Sequence, residues 1–256
     1  MSAIINGMSL TKVRPYGATF FVFTDYMRGA MRLSALMGMP VIYILTHDSL
    51  GVGEDGPTHQ PIEHLAIARA TPGMLTLRPG DANEVAEAWK VVMRLQEQPA
   101  LLVLTRQALP TLDRTKYAAA SGLTRGAYVL AEKPGATPDV LLLATGSEVS
   151  LCVEAYEQLA KEGITARVVS MPSWDLFEKQ DQAYRDSVLP PAVKARVSVE
   201  MATTFGWDRY VGASGHKIGM HSFGASAPIK ALQKHFGFTV ENVVAAAKEQ
   251  IQSSKK

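Results

Sequence analysis

The sequence predicts an α/β fold with two doubly wound domains and mostly parallel sheets. Three observations predict it. Short uninterrupted apolar runs recur along the chain, amphipathic helices separate them, and one aperiodic polar stretch divides the pattern in two. Uninterrupted apolar runs of five to seven residues suit strands buried on both faces of a parallel sheet. Alternation of such strands with helices is the pattern of a doubly wound architecture.

In the first half, Pro40–Thr46 and Ala100–Thr105 read as strands. Between them Pro79-Gly80 breaks the chain, Asp81 caps a helix, and Glu84 completes a capping box. Val85, Ala88, Trp89 and Val92 give that helix one apolar stripe. Residues 107–124 are polar, carry Pro110 and Gly122, and read as a linker. In the second half Asp139–Ala144, Ala166–Ser170 and Ala195–Val199 read as strands. Ser147 is placed to cap the helix that follows the first of them, with Glu148 at the positive end of its dipole. Gly163 ends that helix. Two closing helices are expected, one opening near Ser226 and one over 240–251.

Composition excludes several function classes. Lys plus Arg number 26 against 24 Asp plus Glu, so a formal charge of +2 offers no field for bulk nucleic-acid binding. The one cysteine, Cys152, excludes an internal disulfide framework and suits a reducing compartment. No apolar run reaches the roughly 18–20 residues that span a bilayer, and the first residues lack a secretory pattern. A cytoplasmic protein that meets neither nucleic acid nor membrane is expected.

The densest chemistry lies in Thr46–Pro61, directly after a strand, where open parallel sheets collect ligands. Three glycines let its backbone approach a ligand closely, while His47, His59, Asp48, Glu54 and Asp55 supply proton carriers and hydrogen-bond partners. His47, Asp55 and His59 fit no familiar metal-ligand spacing. Phe20, Phe23 and Tyr26 are spaced by three, near one helical face, which favours a core stripe over a stacking platform. Arg106, just beyond a buried strand, is an anion clamp or a sheet-edge ion-pair partner. Glu63, His64 and Cys152 read as structural, and His216 and His221 as surface residues. Phosphate-binding loops, dinucleotide fingerprints and nucleophile elbows are absent from the sequence.

These residues resemble the transketolase family. The resemblance rests on Thr46–Ser49 with Gly53–Pro61, and on Pro15-Tyr16 with Thr19–Phe23. Leu104–Gln107, Ala144–Val149, Arg167–Pro172 and Phe223–Pro228 extend it over essentially the whole chain. It implies that residues 1–106 are a pyrimidine-binding domain lacking its N-terminal part, that 107–124 link it onward, and that 125–256 form the C-terminal domain. It also implies a two-carbon ketol transfer between sugar phosphates on thiamine diphosphate with Mg²⁺ or Ca²⁺, whose ligands lie outside these residues. Phe20, Phe23 and Tyr26 would then form the aminopyrimidine pocket, against the core-stripe reading. By the same resemblance His47 and Arg106 would contact the sugar phosphate, Asp55 a sugar hydroxyl, and His59 the reacting oxygen as the proton-moving catalytic residue. The family's catalytic glutamate would align three residues before Met1. The chain alone is therefore expected to be inactive, and to assemble as a homodimer or with an upstream metal-binding domain. A catalytically silent dimerisation or regulatory module is the alternative from another class. Dihydroxyacetone synthase is the related-enzyme alternative, and deoxyxylulose phosphate synthase fits the sugar-contact set less well.

Overall fold

A computed structural model describes residues 1–255. Its first sheet comprises β1 (Tyr16–Phe20), β2 (Ile42–Thr46), β3 (Leu75–Leu77) and β4 (Ala100–Val103), in the order β1-β2-β4-β3. All three pairings are parallel. Helices α1 (Ser2–Leu10), α2 (Thr24–Leu36), α3 (His64–Arg69) and α4 (Ala82–Val92) connect and cover it. Successive residues of β2 and β4 feed opposite layers. Tyr43, Leu45, Leu101 and Val103 pack with Met31 and Leu65, while Ile42, Ala100 and Leu102 pack with Leu77, Ala88 and Val92. Covering both faces is what the unbroken apolar runs required, at about 1.5–3 kcal/mol for each large side chain buried.

The second sheet runs β5-β7-β6-β8-β9. Its strands are β5 (Tyr128–Glu132), β6 (Val140–Ala144), β7 (Ala166–Ser170), β8 (Arg196–Thr203) and β9 (His216–Met220). Only the edge strand β5 is antiparallel. The helices are α5 (Glu148–Lys161), α6 (Trp174–Glu178), α7 (Gln182–Val188), α8 (Asp208–Val211), α9 (Ile229–His235) and α10 (Val240–Ser253). No helix among the described residues is long and apolar enough to cross a membrane.

Several local expectations change. Ser147 sits at the N-cap of α5, but its side chain makes no capping hydrogen bond and is turned onto the Glu148 carboxylate instead. Asp81 does cap α4, accepting from the Glu84 amide at 2.8 Å, while Glu84 reaches back to the Gly80 amide at 2.7 Å. The other Glu84 oxygen accepts from Ser170 (2.6 Å) and Tyr128 (2.7 Å) in the second half. Residues in the 107–124 stretch are tied to the first half. Arg114 forms a two-pronged pair with Asp81 at 2.8 Å, and Leu123 is wholly buried among Ile42, Leu75 and Leu77. His216 opens β9 and is half-buried rather than a plain surface residue.

An ionic junction joins the two sheets. Arg78, just beyond β3, is 0% exposed. Its Nε donates to Asp48 at 2.8 Å, and its Nη1 to Glu148 at 2.5 Å and to the Thr145 hydroxyl at 2.8 Å. Burial opposes the guanidinium charge, but Glu148, Asp48 and Glu200 outweigh it and hold Arg78 protonated above its ordinary value. Glu200 accepts two hydrogen bonds from Arg69 (2.9 and 2.7 Å), one from Thr145 (2.5 Å) and one from the Trp207 ring nitrogen (2.9 Å). Burial pushes the Glu200 pKa upward, yet Arg69 and Arg78 bring it down to about 2. Gly146, at φ +54°, leaves space for the Arg78 guanidinium, since a Cβ there would lie 2.6 Å from its Cζ. Asp48 belongs to the loop that carries both site histidines, so this junction holds the loop.

Candidate functional site

Parallel register brings the predicted residues together. Phe20 ends β1 directly opposite Thr46, the last residue of β2. The Phe20 and His47 rings therefore meet beyond the carboxyl ends of both strands, stacked at 3.5 Å between centroids and 15° between planes. Leu45 pairs with Val103 of β4, so Arg106 emerges on the same side. The three aromatics do not share one helix: Phe20 closes a strand, Phe23 lies in a 3-10 turn, and Tyr26 lies in α2. Phe21 is the residue that enters the core, at 1% exposure, whereas Tyr26 is 88% exposed. Phe20 and Phe23 are half-buried and nearly parallel, 7° apart in plane with centroids 5.8 Å apart. His59 stands edge-on to both, 6.4 Å from Phe20 and 5.6 Å from Phe23. This arrangement is an open aromatic shelf flanked by two imidazoles.

The loop between the histidines is built to hold this shape. His47 itself has φ +60°, a left-handed backbone uncommon for a residue with a Cβ. Ser49 caps a 3-10 turn over Leu50–Asp55, accepting from the Gly51 amide. Gln60, buried, donates to the Gly53 carbonyl (3.0 Å) and to the Ala225 carbonyl (2.9 Å). Ser226 donates to the Glu54 carbonyl. The turn that presents Asp55 and His59 is thus clamped by the segment preceding α9. The sequence alone points to no role for Gln60 or Arg78, and for Ser226 only to the start of a helix. Gln60 lies within the chemistry-rich loop, but one of its partners, Ala225, is 165 positions away.

Burial and a neighbouring charge disfavour the charged form of His47. Burial lowers its pKa, and the Arg106 charge lowers it further, against weaker upward pulls from Asp55 and Asp48. Asp55 and Arg106 are exposed and form no ion pair among the described residues. Each retains its full capacity to engage a ligand. Beside Tyr26 lies a second group, Asp25, Glu63 and His64, whose donor atoms fall within 4.8 Å of one another. The His64 Nε2 faces Asp25 at 3.2 Å and its Nδ1 faces Glu63 at 3.7 Å. A single cation can take only one of those two nitrogens. A cleft of about 500 Å³ in the second half of the chain is lined by Phe177, Arg185, Arg196, Arg209 and Tyr210 and by none of these residues.

The sequence matches two family models. One is described as "Transketolase, pyrimidine binding domain", over residues 1–111, and the other as "Transketolase-like TK C-terminal domain", over residues 126–239. A transketolase of Geobacillus stearothermophilus is 55% identical over 249 residues, covering 97% of this chain and 37% of that protein. A transketolase from Leishmania mexicana superposes with a TM-score of 0.92 at 42% identity, over 98% of this chain and 36% of that one. A Pichia stipitis transketolase in complex with sedoheptulose 7-phosphate does so with a TM-score of 0.92 at 43% identity, over 100% of this chain and 37% of that one. The chain thus spans little more than a third of the length of these relatives.

Proposed function

Because the chain belongs to the transketolase family, we propose that it supplies one side of a transketolase active site. The activity is transfer of a two-carbon ketol unit from a ketose phosphate to an aldose phosphate with thiamine diphosphate. One observation carries the reading: two nearly parallel phenyl rings and two histidines converge at the carboxyl ends of β1 and β2. The half-buried Phe20–Phe23 shelf, continued by Tyr26, fits a flat aminopyrimidine, and stacking adds about 0.5–1.5 kcal/mol per pair beyond burial. The sugar complex of the Pichia relative supports a sugar-phosphate substrate.

In this reading Arg106 and neutral His47 hold the phosphate. A fixed charge attracts the anion, and an imidazole N–H donates to one of its oxygens. Asp55 accepts from a sugar hydroxyl. His59 donates to the reacting carbonyl or hydroxyl oxygen and moves its proton. Bound thiamine diphosphate supplies the electron sink for carbon–carbon cleavage. The diphosphate end does not fit these residues. Its metal needs several oxygen ligands with positions left for phosphate, and a buried imidazole fills the space between Asp25 and Glu63. The exposed Ile4, Leu10, Tyr16, Tyr26 and Leu36 are where we place the covering partner, a second copy or a metal-binding domain. Residues 1–106, 107–124 and 125–256 remain our division of the chain.

The test mixes xylulose 5-phosphate, ribose 5-phosphate, thiamine diphosphate and Mg²⁺ with this chain, alone and together with a polypeptide carrying the metal-binding domain. Sedoheptulose 7-phosphate is expected only in the combined sample. There His59→Ala should lower turnover about 10²–10⁴-fold, the range for a positioned proton-transfer group. Unchanged turnover in His59→Ala would overturn the role of His59, and turnover by the chain alone would overturn the division of labour.

A further inference from the structure

Each site histidine follows a threonine, and in both pairs the threonine hydroxyl meets the same ring nitrogen. The Thr46 Oγ1 lies 2.9 Å from the His47 Nδ1. The Thr58 Oγ1 lies 2.9 Å from the His59 Nδ1. The two pairs are built on different backbones. Thr46 ends a strand and is followed by a left-handed residue, whereas Thr58 lies in a turn eleven positions beyond His47. The same contact is therefore reached twice by independent local geometry. Neither Nε2 has a partner among the described residues. We propose that Thr46 and Thr58 are positioning residues that donate their hydroxyls to Nδ1 and thereby hold both histidines as Nε2–H donors facing the substrate.

The argument rests on the functional reading above only for what the donors meet. A neutral imidazole has one N–H and one lone pair, and its second-nitrogen partner decides which end is which. Burial and Arg106 disfavour the charged form of His47, so that ring offers a donor only through its tautomer. A threonine hydroxyl either donates to a bare Nδ1 or accepts from Nδ1–H, and of the two only donation leaves an N–H at the open Nε2 for a ligand oxygen. The N–H then falls on Nε2, the end that a phosphate or carbonyl oxygen can use. Phe20, stacked on His47, fixes the plane of that ring.

The test is ¹⁵N NMR of the histidine rings in this chain, at a pH where the imidazoles are neutral. In the parent, His47 and His59 should each show a pyridine-type Nδ1 and a pyrrole-type Nε2. In Thr46→Val and Thr58→Val the two resonances of the adjacent ring should move toward each other as the second tautomer is populated. Thr46→Ser and Thr58→Ser should restore the parent pattern, and unmoved His216, His221 and His235 signals report a retained fold. A pyrrole-type Nδ1 in the parent overturns the proposal even if a variant fails to fold. So do valine variants that leave both resonances in place. The spectra require no turnover, so they separate this inference from the transketolase reading. If the tautomers respond but His59→Ala leaves turnover of the combined enzyme unchanged, that reading fails and the positioning role stands.

Discussion

The Arg78 junction and the aromatic–histidine shelf both lie just beyond strands of the first sheet, and both contain arginine and carboxylate. They treat charge in opposite ways. At the junction Arg78 is wholly buried, and Asp48, Glu148 and Thr145 surround it. Glu200 beside it accepts four hydrogen bonds. On the shelf Arg106, Asp55 and Tyr26 face solvent, and both histidines keep one ring nitrogen free. A buried ion must be matched by protein because water cannot reach it. A binding site has to leave its hydrogen-bonding capacity unspent until a ligand arrives. Charge paired inside the protein marks architecture, and charge left open beside the aromatics marks the candidate site.

Breaking the junction should have the largest effect on stability. Arg78→Met strands Asp48 and Glu148 in the interior, and denaturant unfolding should report a loss of about 3–5 kcal/mol. A loss below 1 kcal/mol would show that water reaches the junction. Glu200→Gln should cost less, about 1.5–3 kcal/mol at neutral pH. The folded-state pKa of Glu200, about 2, lies below the ordinary value near 4.3. Its contribution is therefore fully present above that ordinary value and is lost as pH falls toward 2. The stability gap between parent and Glu200→Gln, followed by denaturation across pH, should be widest above pH 5 and should narrow in acid. A constant gap would assign the effect to shape rather than charge.

Asp81→Ala sharpens the comparison from an intermediate position. It removes the α4 cap and the Arg114 pair together, and should cost about 1–3 kcal/mol in the same unfolding measurement. On the shelf, Arg106→Ala should leave stability nearly unchanged. It should instead raise the His47 pKa, because a like charge is removed. A ¹H NMR titration reads the change. An unmoved His47 pKa would show that Arg106 does not reach the shelf.

Legibility followed burial. The central strands β2, β4, β6 and β7 were readable because both faces are covered and most positions are apolar, Thr46, Arg167 and Ser170 being the exceptions. The edges β1, β5 and β9 were missed. Tyr16 and Ala18 of β1 are exposed, and β9 mixes His216 and Lys217 with Ile218, so neither carries an unbroken run. β3 is buried but only three residues long, too short to register as a pattern. The spacing of Phe20, Phe23 and Tyr26 suggested a helix because period three cannot reveal that a strand ends at the first of them. Glu148 looked like a dipole partner for its own helix, since nothing near it in the chain announces Arg78, 70 positions away.

By itself the sequence determined the alternation of buried strands and helices and the loop in which the candidate chemistry is concentrated. Those features are local, written in runs, periods and turn residues that act over a few positions. Tertiary structure decided which polar groups answer one another. Phe20 meets His47 because two strands share a register, Arg78 meets Glu148 because two sheets dock, and Gln60 meets Ala225 because a distant segment folds over the loop. Each of these contacts forms only after chain segments far apart in sequence are brought together, and the free energy that does so comes from burying apolar surface rather than from the polar groups that end up meeting.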